Sequence, residues 1–375
     1  MANINRSEIY VLMQKVETYS YWYSNFLDGL KSEAARRSYT VQIVSEETFN
    51  KNVENRCQNI PLIISGHTKR WLSDNIKRAR EFSFHPIVCS PPEGEKDCSS
   101  VKFELKECVE EAIDYLLWCG KRNIALIGLN LSSVADELKQ NTFTEHCKLR
   151  NIEKFITLPY TDSLAAIGNE FLTYNKEEHY NGFICANDTV AVYIMEAAEK
   201  AGINIPEDAY IIGMGNTAVG RQLKTPLTSI SLDYFEMGRQ AVNIFRYIKN
   251  ETSPVYVSAK LPCPITVRAS TNYKIPGKAN IPAKKITNEQ ELYSHYFSDP
   301  DISEIIFYET IMLESDEIDK KIMKLIINKS TYEEMSSHLH ISDRTVRYRV
   351  MKIMKKFNVN SKKELETILK SAHLV

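Results

Sequence analysis

The sequence predicts an α/β protein in which a two-lobed core of parallel sheets flanked by helices precedes a small all-α domain. Short β-like apolar runs alternate with amphipathic helical stretches between residues 9 and about 270, which is typical of βαβ units. This region is too long for one simple doubly wound unit, so two lobes are expected. After residue 315 the pattern is helical throughout. We therefore expect a core over residues 1–275, a connector over 276–314 and a helical domain over 315–375.

The elements of the core follow from the spacing of their apolar residues. Strands are predicted where short runs are rich in β-branched and other apolar residues. These runs are 10–16, 40–45, 61–65, 86–90, 123–129, 182–188 and 209–214. Helices are predicted where apolar residues recur every three or four positions, as Val109, Ala112, Ile113 and Leu116 do. These stretches are 23–37, 106–118, 133–146, 190–201 and 234–249.

The connector breaks this alternation. The run NYKIPGKANIPAKK, which leads into it from residue 272, combines four Lys with two Pro and favours a linker or a surface crossover. The later stretch ISEIIFYETIML fits either a helix or a strand, and the sequence leaves its role open.

Composition excludes several classes of protein. The chain is 43% apolar and 25% charged with a formal net charge of −1, which is ordinary for a globular protein and unlike a disordered or disulfide-scaffold chain. It contains no apolar run of the roughly 20 residues that a membrane span needs, and its N-terminus lacks a signal-peptide core. We expect a cytoplasmic protein with no membrane partner.

Motifs for catalysis are also missing from the sequence. It has no nucleophile elbow, Walker A, HExxH or paired-carboxylate pattern. One run, from Gly213 to Ala218, fits GxGxxA after a strand, as in dinucleotide-binding proteins. A helix of ordinary length would have to begin there, however, and Pro226 ends it early. We expect no enzyme activity, no cofactor and no metal site.

The C-terminal domain carries the clearest local signals. Thr331 and Glu334 form a capping box that opens one short helix. After a turn at residues 340–342, Ser342 can cap a second helix, and Asn358 stands where that helix needs a left-handed terminating residue. Two short helices joined by a three-residue turn predict a helix-turn-helix.

Charge supports a polyanion as the partner of this domain. Residues 340–363 hold eight cations and a single acid, so the rest of the chain is acidic. A solvated cationic helix face is the alternative interpretation. The second helix presents hydroxyl, Arg and Tyr side chains that can reach phosphates and base edges of double-stranded DNA. The candidate DNA-binding residues are Ser342, Arg344, Thr345, Arg347, Tyr348, Arg349, Lys352 and Lys355.

The run LHISDRTVRYRVMKIMKKFNVNSKKEL resembles the LuxR/GerE helix-turn-helix, and the resemblance covers about residues 316–370. It implies that Arg347 is the base-reading basic residue, with Tyr348 as its neighbour. Met351 stands where a second basic reader is common in that family, which implies a different recognised sequence.

Farther toward the N-terminus, a strand followed by ANDTVA, then AGINIPEDAYIIGMGNT and LKTPLTSISLDYFEMGRQAV, resembles the core of the lactose-repressor (LacI/GalR) family. The resemblance is strong over about 180–270 and collinear from Tyr10. It implies a type 1 periplasmic-binding-protein fold with a cleft for a sugar-like small molecule. The candidate ligand-binding residues are Tyr21, Trp22, Tyr23, Ser65, Glu104, Lys139, Asn187, Asp188, Asn216 and Asp233.

Departures from the family pattern bear on the ligand. The usual Asp at the turn after the IIG strand is absent, and Lys139 aligns roughly with the family's pocket Arg, so the planar fork is missing. Asn187 and Asp188 have an alternative role as helix caps. For the aromatic cluster near Trp22, the alternative is core packing of the first helix.

Together the two resemblances imply a one-component bacterial transcription regulator that forms a homodimer. A small-molecule effector in the core would modulate DNA binding by the C-terminal helix-turn-helix, because it binds two lobe arrangements unequally. The alternative is a DNA-binding protein whose degenerate core is a dimerisation or protein-partner platform with no small ligand. The identity of the effector stays open.

Overall fold

The computed structural model describes residues 8–14, 21–44, 46, 60–251, 253, 255–271 and 300–371. The predicted linker between residues 276 and 299 lies outside the described residues, as do residues 15–16 and 45 of two predicted strands. Of Tyr21 only the backbone is described.

The described elements come in the order that a two-lobed α/β core with a helical appendage requires. The strands are β1 Glu8–Met13, β2 Thr40–Val44, β3 Ile60–Ser65, β4 Phe84–Cys89, β5 Ser99–Phe103, β6 Asn123–Leu129, β7 Lys154–Pro159, β8 Gly182–Cys185, β9 Tyr210–Met214, β10 Thr228–Ile230, β11 Ser258–Leu261 and β12 Ile265–Thr266. The core helices are α1 Tyr21–Arg36, α2 Lys69–Glu81, α3 Leu105–Trp118, α4 Val134–Leu149, α5 Leu164–Lys176, α6 Asp188–Lys200, α7 Ala218–Gln222 and α8 Tyr234–Ile248. The C-terminal helices are α9 Pro300–Leu313, α10 Glu317–Ile327, α11 Tyr332–Leu339, α12 Asp343–Lys356 and α13 Lys362–Ser371.

The first lobe is built on a parallel sheet with the strand order β11-β5-β4-β3-β1-β2. Its central strands are buried on both faces, as the complete burial of Val11 on one face and Leu12 on the other shows. Helices α1 and α8 pack closely on it. The two helices can approach this closely because Gly29 and Gly238 have no Cβ. A Cβ at either position would collide with the backbone of the facing helix.

The second lobe is built on a sheet with the order β12-β10-β9-β8-β6-β7, in which only the β10–β12 pair is antiparallel. Helices α3 and α4 pack together beside this sheet, and α5 and α6 form a second helix pair. The described chain passes between the lobes after β5, after β10 and after β11, so the two lobes are joined by crossovers that lie far apart in sequence. Both predicted lobes are therefore present.

Most predicted elements are confirmed within two or three residues of their bounds. The strand at 123–129 is confirmed without change, and the open stretch at 302–313 is part of helix α9. The prediction missed five strands and three core helices, namely β5, β7, β10, β11, β12, α2, α5 and α7. The short strands β11 and β12 lack a clear apolar period, so tertiary packing defines them instead. Helix α2 does have helical apolar spacing, at Leu72, Ile76 and Ala79, but this spacing stands among many charged residues.

The C-terminal helices form a small bundle that continues from the second lobe without a break in its apolar core. Buried residues of α10, α12 and α13 belong to the same apolar cluster as buried residues of α5 and α6. Helix α9 contributes Ile302, Tyr308, Ile311 and Met312 to this cluster. The connector of the sequence analysis therefore contains a helix that joins the core to the terminal bundle.

Candidate functional site

A cavity of about 220 Å³ lies between the two lobes. Its walls come from the carboxyl ends of strands in both sheets and from the segments that follow them, such as Ser65 at the end of β3, Asn130 after β6 and Asn187 after β8. Ligands of open α/β folds bind at this edge. Beside the cavity the lobes touch directly, because the amide of Val134 donates to the carbonyl of His67 at 2.9 Å.

One wall of the cavity is aromatic. The indole of Trp22 lies there, with Tyr234 at 6.3 Å and His67 at 6.2 Å between ring centroids. Burial lowers the pKa of the half-buried His67 imidazole to about 3, because a charged ring would lose its hydration there. His67 is therefore neutral at ordinary pH and presents an uncharged surface to the cavity.

A buried ion pair forms part of the polar wall. The Nζ atom of Lys139 donates to Oδ1 of Asp136 at 2.6 Å and to the carbonyl of Ala186 at 2.8 Å. The other carboxylate oxygen of Asp136 accepts from the amide of Asn130 at 2.9 Å. These two bonds use two of the three donors of the ammonium, and Lys139 is one of the residues that line the cavity.

The terminal bundle has the geometry of a helix-turn-helix. Thr331 and Glu334 make both hydrogen bonds of the predicted capping box. His340 ends α11 in the left-handed region with φ of 53°, and the Ser342 hydroxyl caps α12 by accepting from the amide of Thr345 at 3.1 Å. Asn358 ends the segment after α12 with φ of 53°, as the sequence predicts.

The solvent face of α12 is cationic and aromatic. Tyr348 is 64% exposed and Met351 is 61% exposed. Arg347 bonds Asp343 at 2.6 Å, and its guanidinium lies 4.3 Å from the centre of the Tyr332 ring. This helix can present its face to a DNA groove, as the second helix of a helix-turn-helix does.

Comparison with known proteins identifies both parts of the chain. The family model described as a periplasmic binding protein-like domain matches residues 113–271. The model described as bacterial regulatory proteins of the luxR family matches residues 319–369, which contain α12. The chain is a transcription regulator that joins a LacI-like core to a LuxR-type helix-turn-helix domain.

Relatives of this regulator support the same description. Catabolite control protein A of Staphylococcus epidermidis is 26% identical over 267 residues, which cover 67% of this chain and 78% of the relative. The lac repressor dimer bound to operator and the anti-inducer ONPF matches the fold with a TM-score of 0.62 at 18% identity, over 72% of this chain and 96% of that one. A CelR–cellobiose complex matches with a TM-score of 0.60 at 15% identity, over 70% and 84% of the two chains. These similarities are to regulators, and they indicate no catalytic family.

The regulator brings five of the predicted ligand-binding residues to the cavity wall. These are Trp22, Ser65, Lys139, Asn187 and Asp188. Asn187 is also the N-cap of α6, because its Oδ1 accepts from the amide of Val190 at 3.0 Å. The alternative interpretation of Asn187 as a cap is therefore confirmed, whereas a role in ligand binding stays a prediction.

Asp188 accepts three hydrogen bonds inside the second lobe. Its Oδ1 accepts from the Ser229 hydroxyl at 2.6 Å, and its Oδ2 accepts from the amide of Thr217 at 2.7 Å and from that residue's hydroxyl at 3.0 Å. A Cβ at position 213 would collide with this carboxylate, which explains Gly213. The GxGxxA run is thus a packing feature, and the helix that follows it, α7, has only five residues.

The structure places four other predicted residues outside the cavity lining, which corrects the expected pocket. Glu104 pairs with Lys260 at 2.8 Å, and Asp233 caps α8 through the amide of Glu236 at 2.8 Å. Asn216 bonds Ser231 and Arg268 through its side chain. Tyr23 packs against Trp22 at 5.8 Å, in agreement with the core-packing alternative. The side chain of Tyr21 lies outside the described residues.

Sequence reasoning missed several lining residues. Asp136 and Asn130 could have been found from their place after the β6 strand, but His67 follows a strand in a loop without a motif. Ile302 and Ile306 lie on α9, far from the core in sequence, and no local signal points to the cavity.

The structure also separates the predicted DNA-binding residues into two groups. Arg344, Arg347, Tyr348, Lys352 and Lys355 are exposed on α12, with Ser342 exposed and Thr345 half-buried at its start. Arg349 instead turns toward α10 and bonds Asp316 at 2.7 Å and Asp319 at 2.5 Å. This corrects the expectation for Arg349, which holds two helices together instead of facing outward.

Within the residues that the structure describes, no cluster of three or more His, Cys, Asp or Glu side chains is arranged to hold a metal ion. Among the described helices, none combines the length and apolarity that a membrane crossing requires.

Proposed function

We propose that this regulator binds a small polar metabolite of about monosaccharide size in the interlobe cavity, and that occupancy alters how α12 binds DNA. The observation that carries the proposal is the cavity itself, which both lobes line at the carboxyl ends of their strands. Its volume of about 220 Å³ is below the roughly 300–1,000 Å³ of sites for drug-sized ligands. A monosaccharide suits this volume better than a disaccharide such as the cellobiose of the CelR complex.

The chemistry of the wall supports a sugar-like ligand. Trp22 supplies an aromatic surface on which the apolar face of a ring can stack. Lys139, the Ser65 hydroxyl and the Asn130 side chain line the same space. Apolar walls with a few placed polar groups are typical of small-molecule sites.

Control of DNA binding follows from the position of the cavity between two lobes. A ligand that touches both lobes has a different affinity for open and closed arrangements, so it shifts the population of the two. We propose that two copies form a homodimer in the cytoplasm and read paired half-sites, and that the lobe arrangement alters the spacing of the two copies of α12.

The test is thermal unfolding of the full-length protein with D-glucose, D-ribose, D-xylose, their phosphates, nucleosides and amino acids. A ligand at a hundred times its Kd stabilises the folded state by about 2.7 kcal/mol, which raises Tm by a few degrees for a chain of this size. A Trp22→Ala variant should lose the shift, whereas Trp118→Ala, an exposed indole outside the cavity lining, should keep it.

One observation favours a second candidate, in which the core is a platform for dimerisation or for a protein partner. Asp188 directs all its described hydrogen bonds to Thr217 and Ser229, so it has less capacity for a ligand. Under this alternative no compound of the panel shifts Tm, and a variant that breaks the dimer abolishes DNA binding.

A further inference from the structure

The helix that leads to the DNA-binding domain forms part of the cavity wall. Ile302 and Ile306 of α9 both line the cavity, and Ile302 is completely buried. The same helix contacts α1 of the first lobe and α6 and α7 of the second lobe. It therefore bridges the two lobes as well as bordering the space between them.

A buried carboxylate holds α9 on the core. Glu309, which is 5% exposed, accepts hydrogen bonds from the amide of Ala218 at 2.8 Å and from the amide of Val219 at 2.6 Å. These are two of the amides at the start of α7 that lack partners within that helix. Docking of α9 thus gives these two amides of the core a hydrogen-bond acceptor, which they would lose if α9 moved away.

The second half of α9 and the residue after it contact the end of α12. Phe307 and Tyr308 lie 6.3 Å and 6.1 Å from the ring of Phe357, which is the C-cap of α12. Lys356, the last residue of α12, bonds the carbonyl of Glu314 at 2.8 Å and its carboxylate at 3.2 Å. A displacement of α9 would therefore move α12 or break these contacts.

We propose that α9 is the third wall of the effector site and transmits occupancy of the cavity to α12, with Ile302 and Ile306 selecting the effector by size. This inference rests on the proposed function, since it concerns the same cavity. The cavity exists with α9 in place, so an effector packs against the two isoleucines without expelling the helix. Binding consequently strengthens docking of α9 and holds the DNA-binding domain in one position relative to the core.

The test compares the full-length protein with an Ile302→Ala/Ile306→Ala double variant. The matched control is Leu313→Ala, which removes an apolar side chain of the same helix that is 51% exposed. A second variant, Glu309→Gln, leaves the cavity wall unchanged but removes one of two acceptors for the start of α7. Amide hydrogen exchange of residues 303–313 reports docking, and affinity for duplexes selected by the wild-type protein from a randomised 40-bp pool reports output.

We expect faster exchange of α9 and at least a tenfold change in DNA affinity in the double variant and in Glu309→Gln, with changes below twofold in Leu313→Ala. Faster exchange with unchanged DNA affinity would overturn the proposal, as would exchange equal to that of the wild type. These two measurements need no small molecule, so they decide the role of α9 in transmission even if the cavity binds nothing.

The ligand arm uses calorimetric titration with D-glucose, D-ribose and D-xylose. If one of these sugars binds the wild type, the double variant should bind it at least tenfold more weakly and Leu313→Ala equally well, and the bound sugar should slow exchange of α9 in the wild type. Equal affinity of wild type and double variant would overturn the third-wall inference and leave the proposed function standing. Failure of every sugar on the wild type would count against the proposed function and against selection of the effector by Ile302 and Ile306.

Discussion

The guanidinium of Arg349 donates a 2.5 Å hydrogen bond to Asp319, whose side chain is 1% exposed. The bond joins α12 to α10, and Asp316 accepts a second bond from the same nitrogen at 2.7 Å. The hydrogen bond from Arg349 to Asp316 lowers the pKa of the Asp316 carboxyl. An arginine on a cationic helix therefore serves the fold of the domain.

Removal of this arginine should destabilise the terminal bundle. Arg349→Ala leaves the buried Asp319 carboxylate without its main partner, and the loss should be about 1–3 kcal/mol, below that of a fully buried pair because Arg349 is 22% exposed. Thermal unfolding is the measurement, and Arg344→Ala on the exposed face is the control. Equal Tm values for the two variants would contradict the structural role of Arg349.

Arg347 should behave as a reader of bases. Arg347→Ala should weaken binding to the preferred duplex roughly tenfold or more and relax the choice of base at one position. Lys355→Ala should weaken binding to all duplexes alike and reduce the salt slope by about 1. Titrations at several salt concentrations against duplexes with single base changes distinguish the two. Full affinity and specificity in Arg347→Ala would disprove the assignment.

Asn187 has two roles that substitution can separate. Asn187→Ala removes the cap of α6 and should cost about 1 kcal/mol of stability. Asn187→Ser keeps a capping oxygen but removes the amide, so its Tm should stay near that of the wild type. If the amide touches the effector, both variants lose affinity in calorimetric titration. Wild-type affinity in Asn187→Ser would show that Asn187 is a cap only.

Asp188 should prove structural. Asp188→Ala leaves the amide of Thr217 and the hydroxyl of Ser229 without their acceptor, which should cost about 2–4 kcal/mol. Chemical unfolding measures the loss, and Asp233→Ala, which removes only the N-cap of α8 and should cost about 1 kcal/mol, serves as the comparison. A change below 0.5 kcal/mol in Asp188→Ala would be incompatible with its central place in this network.

His67 should make the folded protein sensitive to acid. Its pKa falls from 6.5 to about 3 on folding, so the neutral ring is favoured in the native state. Above pH 6.5 the ring is neutral in both the folded and the unfolded state, so it does not affect stability. As the pH falls from 6.5 toward 3 only the unfolded state binds the proton, and the free energy of unfolding decreases by about 1.4 kcal/mol per pH unit. Urea unfolding between pH 7.5 and 4.5 should show a shallower loss in His67→Gln than in the wild type or in the exposed control His338→Gln. Parallel pH profiles for all three proteins would refute the assignment.

The local pattern of the sequence was sufficient for most elements and for the DNA-binding helix. Capping residues act within one turn, so Thr331, Ser342 and Asn358 could be interpreted without any tertiary information, and each adopts the predicted geometry. The strand at 123–129 is equally local, since its apolar run alone sets its limits.

The cavity was less predictable from the sequence. Five candidate residues reach its wall, but Glu104, Asn216 and Asp233 satisfy neighbouring groups outside it. A polar residue at the end of a strand can bind a ligand, cap a helix or pair with a charge. The choice depends on which partner the fold brings close.

What the sequence by itself determined is therefore the α/β alternation, the helix-turn-helix and the charge of its exposed face, because these depend on contacts between near neighbours along the chain. Tertiary structure alone decided that Arg349 pairs with Asp319 and that Ile302 reaches the cavity. It also decided that Glu309 binds the amide of Ala218, 91 residues away in sequence. Such contacts arise when distant segments bury apolar surface together and their polar groups must find partners in the same space.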